Sequence, residues 1–287
     1  MLNFIKNKLM ERHNGSPINL VKVRGGSEKK FLIFAFLNKG TNPFACLKAP
    51  SLDAHSYLIR QEFDNLKNAK NTLPDNLKNT LPSLYEPIVL GGKFISCEEA
   101  VKGIPDNRDN NKKKLENIFK WICQFHKSGI VGKMKFSKSF LIEIILKKED
   151  WFKRFSDDGF YFQKKVVSFV DKIWPHGEIV LPIINQHGDF HHGNVFFQKN
   201  GLKVIDWANY SKVLLPAYDL FFYLKRQNYF VENHYLFSSY FNFFSLPPEI
   251  IPSWIKVLYL VDGLEKVSYY NKITSGMAEE YFKEILI

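Results

Sequence analysis

One short stretch constrains this chain more than any other: His187-Gly188-Asp189-Phe190-His191-His192-Gly193-Asn194, followed further on by Ile205-Asp206-Trp207. Between them lie two apolar runs, Val195-Phe196-Phe197-Gln198 and Leu202-Lys203-Val204-Ile205, separated by Lys199-Asn200-Gly201. Asn-Gly between apolar, β-prone runs is the strongest short-range signal for a hairpin, because both residues accept the backbone a tight turn requires. An antiparallel pair brings its open ends together, so Asn194 and Asp206 become neighbours. Asp189 lies one tight turn upstream of that same end. Three oxygen-bearing side chains converging there suit a hard divalent cation, with one carboxylate left to handle a proton. A merely polar turn rich in His and Asp does not require a carboxylate and an amide at both ends of one hairpin.

The order H-G-D-x-x-x-x-N, a hairpin, then I-D-W resembles the pattern of the aminoglycoside phosphotransferase and choline kinase family, small-molecule kinases of the protein-kinase-like fold. The resemblance runs through motifs from about residue 20 to 225. It implies a two-lobed α+β fold, with an N-terminal antiparallel sheet and one helix forming an ATP-binding lobe over residues 1–98. A hinge follows at about 98–104, and a larger, mainly helical lobe over 99–287 carries the catalytic hairpin and the acceptor site, with ATP in the cleft. It also implies that Asp189 is the catalytic base or orienter for a substrate hydroxyl. Asn194 and Asp206 would hold Mg2+ on the phosphates of ATP, GTP being the other candidate nucleotide. The residue types agree with that chemistry, since γ-phosphoryl transfer asks the protein for positioning and charge neutralisation and for little covalent work.

At 287 residues the chain is long enough to bury a substantial core, as one large domain or two lobes. Hydrophobic and charged contents of 45% and 24% are those of an ordinary globular protein. No apolar run approaches the roughly 20 residues of a membrane-crossing helix. Lys6 and Lys8 interrupt the apolar residues of the N-terminus, which therefore lacks a secretory core segment. Met1 to Met10 reads as a short frayed helix, a weak contact with a membrane surface being the alternative. Cys46, Cys97 and Cys123 are far apart, odd in number and set among apolar residues. They read as buried free thiols in a reducing compartment, and a cytoplasmic location is expected. The formal net charge of +11 suits anionic partners such as nucleotides, acidic glycans, nucleic acid or anionic lipid, and equally fits a lysine-rich composition spread over the surface. No Arg-rich or aromatic-interleaved basic motif accompanies it, so no nucleic-acid partner is expected. Nothing in the sequence bears on oligomeric state.

Along the chain, Ile18 to Val23, Phe31 to Leu37 and Phe44 to Lys48 read as a three-stranded meander. Gly25, Gly26 and Ser27 lie in its first connection, where glycines let backbone amides approach phosphates. Lys48 closes the third strand. In the helix expected over Ala54 to Lys70, Ile59, Phe63 and Leu66 form the apolar stripe, and Glu62 falls on that same face. A carboxylate there wants a cationic partner, because burying it unpaired is costly. Lys48 and Glu62 resemble the strand-lysine and helix-glutamate pair that positions ATP phosphates in kinase-like folds; solvated surface positions are the plainer reading of both. Leu84 to Val89 and Lys93 to Cys97 read as strands joined at Gly91-Gly92. The segment Glu98 to Gly103 after them resembles the inter-lobe hinge, whose backbone groups at Glu99 and Val101 would meet the adenine edge.

Asn111 to Ser128 is an amphipathic helix stopped by Gly129, and its Phe125-His126 resembles the Leu-His ending the family's corresponding helix. His126 reads as packed and hydrogen-bonded. Ser139 to Phe155 and Phe160 to Trp174 read as helices, and Val180 to Asn185 as a strand delivering His187. His187 is expected to order the catalytic loop through backbone hydrogen bonds, with His191 and His192 filling a turn. Asp219 resembles a family Asp in a Tyr-Asp-Leu segment and is expected to brace the catalytic loop. Only twelve residues lie between Asp206 and Asp219, which leaves no room for a protein kinase's long activation segment.

Rival readings are weaker. No cysteine lies near His187, His191 and His192 in sequence, as a zinc site built on them would want. A metallophosphoesterase would add an Asp-x-His on an early strand and a late Gly-His-x-His, and neither is found at such a place. A pseudokinase is disfavoured because Lys48, Glu62, Asp189, Asn194 and Asp206 are all intact. For the acceptor, residues 221–287 carry seven Asp/Glu against six Lys/Arg, a poor match to a polycationic aminoglycoside. Phe221 to Phe244 holds eleven aromatics, faces that suit a sugar ring, a quaternary amine or a lipid tail, or that pack a helix pair. The expected enzyme is an ATP-dependent phosphotransferase acting on a small-molecule hydroxyl. A sugar or glycan-type acceptor is preferred, ahead of choline/ethanolamine-like and aminoglycoside ones.

Overall fold

The computed structural model describes residues 1–24, 29–106, 111–146, 167–168, 170–199, 201–227 and 233–269. The chain forms two compact units, Met1–Leu115 with Asn185–Val213, and Glu116–Ile184 with Leu214–Ile287. The hairpin assigned from sequence to the second lobe thus groups with the first 115 residues.

The first unit opens with helix α1 (Leu2–Arg12) and is built on a five-stranded antiparallel sheet. Its strands are β1 (Ile18–Arg24), β2 (Lys30–Leu37), β3 (Ala45–Pro50), β4 (Leu84–Leu90) and β5 (Lys93–Glu99), in the order β1-β2-β3-β5-β4. β4 and β5 meet at Gly91 and Gly92, both at positive φ, as a two-residue hairpin turn demands. Every residue of β3 is buried, because both faces of this central strand are covered. On one face Ala45, Leu47 and Ala49 pack with Ile33 and Ala35 of β2, Ile95 and Cys97 of β5, and Ile5 and Leu9 of α1. The N-terminal helix is therefore not frayed: Ile5 and Leu9, four residues apart, lie on one stripe and seal this core. Period two sends Cys46 and Lys48 to the opposite face, where α2 (Ser56–Thr72) buries Ile59, Glu62, Leu66 and Ala69. The short α3 (Asp75–Lys78) leads into β4.

A second, three-stranded sheet joins β6 (Ile104–Pro105), β9 (Val195–Gln198) and β10 (Gly201–Val204) in the order β10-β9-β6. The second unit contains most of α4 (Lys112–Ser128), α5 (Lys138–Leu146), α6 (Tyr218–Gln227), α7 (Tyr235–Phe243) and α8 (Ile251–Tyr269). It also holds a strand pair, β7 (Ile130–Phe136) with β8 (Ile179–Ile184), of which β7 was not anticipated: its residues are mostly exposed, and Phe136 alone of them is buried. Phe136, Trp174 and Trp254 pack edge to face in its core, centroids 4.8 to 6.1 Å apart. The helix expected over Ser139 to Phe155 is described only to Leu146, and most of that expected over Phe160 to Trp174 lies outside the described residues. Among the described residues, no helix is long and apolar enough to cross a membrane.

Candidate active site

The hairpin of β9 and β10 pairs Val195 with Val204 and Gln198 with Gly201. Its open end is closed by the Ile205 amide donating to Asn194 O at 2.9 Å, which places Asn194 beside the residue preceding Asp206. Asn194 donates its side-chain amide to Asp189 O at 3.0 Å. Its Oδ1 is thereby the atom left for a cation. His187 ties the two segments together: Nδ1 accepts from the Asp189 amide at 3.3 Å, and Nε2 donates to Ile205 O at 3.0 Å. One buried imidazole thus links the start of the loop to the strand that delivers Asp206. Gly188, at φ +82°, runs so close to the next turn that a Cβ would sit 2.4 Å from Asn209 O. His191 turns inward and accepts from the Gly193 amide at 3.0 Å, with its Nε2 3.8 Å from Asp189 Oδ1. The Asp189 side chain is 32% exposed.

Asp206 adopts a left-handed backbone, φ 64° and ψ 68°, that Asp and Asn tolerate better than most residues. The turn after it is held by Trp207 Nε1 donating to Val204 O, and by Asn65 of α2 donating to Trp207 O and Ala208 O.

Lys48 and Glu62 meet, Nζ to Oε1 at 2.5 Å, both buried. The ion cluster is larger than the sequence reading foresaw. Glu98 lies 2.7 Å from the same ammonium, and Lys30 reaches Glu62 Oε2 at 3.0 Å and Asp206 Oδ1 at 3.5 Å. Burial pulls the Lys48 pKa down, but Glu62 and Glu98 outweigh it and hold the ammonium well above its usual range. Burial pushes the Glu98 carboxyl up despite Lys48. At Asp206 burial also acts upward, yet Lys30, Lys48 and His187 prevail and keep it below the ordinary carboxylate range. Every member of this cluster belongs to the first compact unit.

The donor set fits magnesium. Among the described residues no group of three or more His, Cys, Asp or Glu gathers as a metal cage. One carboxylate, Asp206, and one amide oxygen, Asn194, is the sparse protein contribution that magnesium takes when phosphates complete its shell.

Other residues singled out from sequence fall as follows. Gly25, Gly26 and Ser27 lie outside the described residues. β5 extends through Glu99, whose amide donates to Ser83 O at 2.8 Å and whose carboxylate binds Lys203 at 2.6 Å; Val101 lies just past the strand, after Ala100. Asp219 accepts from His126 Nε2 at 3.0 Å, and His126 Nδ1 lies 2.7 Å from the Tyr240 hydroxyl, all three fully buried. Glu98 and Lys30 escaped sequence reading. Extending the β5 alternation from Ser96 would have put Glu98 on the Lys48 face, and only the β2–β3 register, Leu32 opposite Lys48, puts Lys30 there.

Residues 123–234, which span Asp189, Asn194, Asp206 and Asp219, match the family model described as the phosphotransferase enzyme family, APH. The motif resemblance stands. Similar solved structures include a provisionally assigned fructosamine-3-kinase from Thermobifida fusca YX-ER1, 18% identical, TM-score 0.64, covering 99% of each chain. The macrolide 2'-phosphotransferase MphH from Brachybacterium faecium is 14% identical, with TM-score 0.59, over 91% of this chain and 90% of that one. A choline/ethanolamine kinase family protein from Mesorhizobium loti is 15% identical, with TM-score 0.57, over 99% of this chain and 93% of that one. None of the curated proteins matches the chain significantly. The fold is that of the protein-kinase-like small-molecule kinases.

Proposed function

We propose that the protein transfers the γ-phosphoryl group of ATP to a hydroxyl of a small molecule. One observation carries the reading: Asp189, Asn194 and the residue delivering Asp206 are hydrogen-bonded together at the base of one hairpin. Asp189 orients the acceptor hydroxyl and takes its proton as the oxygen–phosphorus bond forms. His187 keeps the Asp189 backbone in place, and Asn194 and Asp206 would hold magnesium. Magnesium, when bound with the nucleotide, supplies charge neutralisation on the phosphate oxygens. Lys48, aimed by Glu62, serves the phosphates, and the backbone at Glu99 and Val101 meets the adenine edge. Because the Glu99 amide is engaged by Ser83, its carbonyl is the group it offers. Gly25, Gly26 and Ser27 are proposed to cover the phosphates.

The acceptor is proposed to be a sugar or glycan-type hydroxyl compound. The near-neutral charge of residues 221–287 disfavours a polycation, and the likeness to a provisionally assigned fructosamine-3-kinase favours a sugar-bearing substrate. The aromatics of 221–244 contribute less than their number implies. Phe221, Phe222, Tyr223, Phe237, Tyr240 and Phe241 are buried core residues, and Tyr235 and Phe243 are exposed.

Screening hydroxyl compounds for stimulated ADP release tests the reading. Asp189→Ala is expected to lower the rate with the best acceptor by about 10²–10⁴-fold, the usual worth of a positioned base, while leaving nucleotide affinity near wild type. Asp206→Ala should abolish transfer and also weaken Mg-nucleotide binding. Full transfer by either variant would refute the assigned roles.

A further inference from the structure

Asp206 already has a cation beside it. Lys30 Nζ lies 3.5 Å from Asp206 Oδ1 and 3.0 Å from Glu62 Oε2. Lys48 meanwhile holds the other oxygen of Glu62 and the carboxylate of Glu98. The two lysines thus divide the work: Lys48 sits between the two glutamates, and Lys30 reaches from Glu62 to the proposed metal carboxylate.

With all groups ionised, two ammonium ions face three carboxylates, so the cluster carries one net negative charge and favours a further cation. Lys30 is 16% and Asp206 35% exposed at their side chains, so their attraction is only partly screened by water and readily exchanged for another partner. A divalent ion on Asp206 would stand within a few ångströms of the Lys30 ammonium, and the two repel. They cannot share one carboxylate cheaply. Lys30 sits at the first residue of β2, on the same face as Lys48, at the end of a flexible four-carbon stem. It can leave Asp206 with no backbone rearrangement, and the nearest large negative charge, once a nucleotide is bound, is the phosphate chain.

We propose that Lys30 is an exchange counter-ion: it neutralises Asp206 when no nucleotide is present, and yields that carboxylate to metal while turning to the phosphates when nucleotide binds. This rests on the phosphotransferase reading above. Lys30 is then a phosphate-binding position additional to Lys48, and its absence changes metal dependence rather than simply lowering affinity.

The test is calorimetric titration of ADP into wild type, Lys30→Met and Lys30→Arg, each with EDTA and with excess magnesium. In wild type, Lys30 supports metal-free ADP and competes with magnesium at Asp206. Removing the charge therefore weakens metal-free ADP binding more than Mg-ADP binding. The ratio of metal-free to Mg-ADP Kd is expected to rise about fivefold or more in Lys30→Met, the scale of one partly buried ion pair. Lys30→Arg keeps the charge and should keep a ratio near wild type. If Lys30→Met does not fold, Lys30→Gln carries the same expectation. An unchanged ratio, or equal weakening in both conditions, would overturn the inference while leaving the phosphotransferase reading intact. A wild-type protein whose ADP affinity ignores magnesium would overturn both.

Discussion

Asp206 holds a backbone conformation that costs most side chains roughly 1–2 kcal/mol, so its identity answers to geometry as well as charge. Asparagine tolerates the same conformation, which makes Asp206→Asn the variant that changes charge and little else. Gly188 is more restrictive. Its φ of +82° and the 2.4 Å approach of Asn209 O leave no space for a methyl group. Gly188→Ala should displace the loop that positions Asp189 and reduce transfer severely, with the circular dichroism spectrum preserved. The three cysteines test burial directly. Burial pushes each of the Cys46, Cys97 and Cys123 thiols up to about 12. At pH 8 their labelling by a disulfide reagent should be on the order of 10³-fold slower in native than in denatured protein, because the thiolate is the reacting form. Rapid native labelling of any one would contradict its placement. With a pKa near 9 unfolded and about 12 folded, each thiol contributes stability that is complete below pH 9. That contribution is lost as pH rises from 9 toward 12. What sequence could not reveal at this scale was partnership. Glu62 announced its need for a cation by lying on an apolar stripe, whereas Lys30 carries no local mark distinguishing it from Lys29.

Elements whose pattern is local were legible, and those whose pattern depends on partners were less so. The β9–β10 hairpin could be read because a very short polar connection between two apolar runs fixes which ends meet, although Gly201, expected in the turn, already pairs with Gln198 as the first residue of β10. β1 to β5 were legible from apolar runs and glycine turns, but β5 runs on to Glu99, past the expected end at Cys97, because β4 supplies a partner as far as Glu98 and β3 as far as Glu99. β7 escaped because its residues are mostly exposed and its strand character comes from pairing with β8. The N-terminal helix was underestimated for a related reason: two residues, Ile5 and Leu9, anchor it, and only the sheet beneath shows their value. In the second unit α4, α6 and α7 are joined through His126, Asp219 and Tyr240. Tyr240→Phe removes the hydroxyl facing His126 Nδ1 and leaves a buried polar atom without that contact. Stability should fall by about 1–3 kcal/mol, read as an earlier urea midpoint. An unchanged midpoint would mean the hydroxyl contributes nothing there.

At the scale of the whole molecule, a local signature foretold a global fold: the phosphoryl transfer proposed above would demand carboxylate and amide oxygens in one small volume, and the base of one hairpin brings Asp189, Asn194 and the residue before Asp206 together. The match of residues 123–234 to the phosphotransferase family and the likeness to small-molecule kinases over nearly the full chain agree with that reading. Acceptor choice was least legible, since a Phe-rich stretch serves a core and a binding face equally well until burial is known. The most direct test is titration of ATP into wild type and Asp206→Asn, each with and without magnesium. Magnesium should tighten nucleotide binding to wild type at least about tenfold, or roughly 1.4 kcal/mol, and should have little effect on Asp206→Asn. Equal tightening in both proteins would contradict the assignment of Asp206, and no tightening in wild type would contradict the site itself.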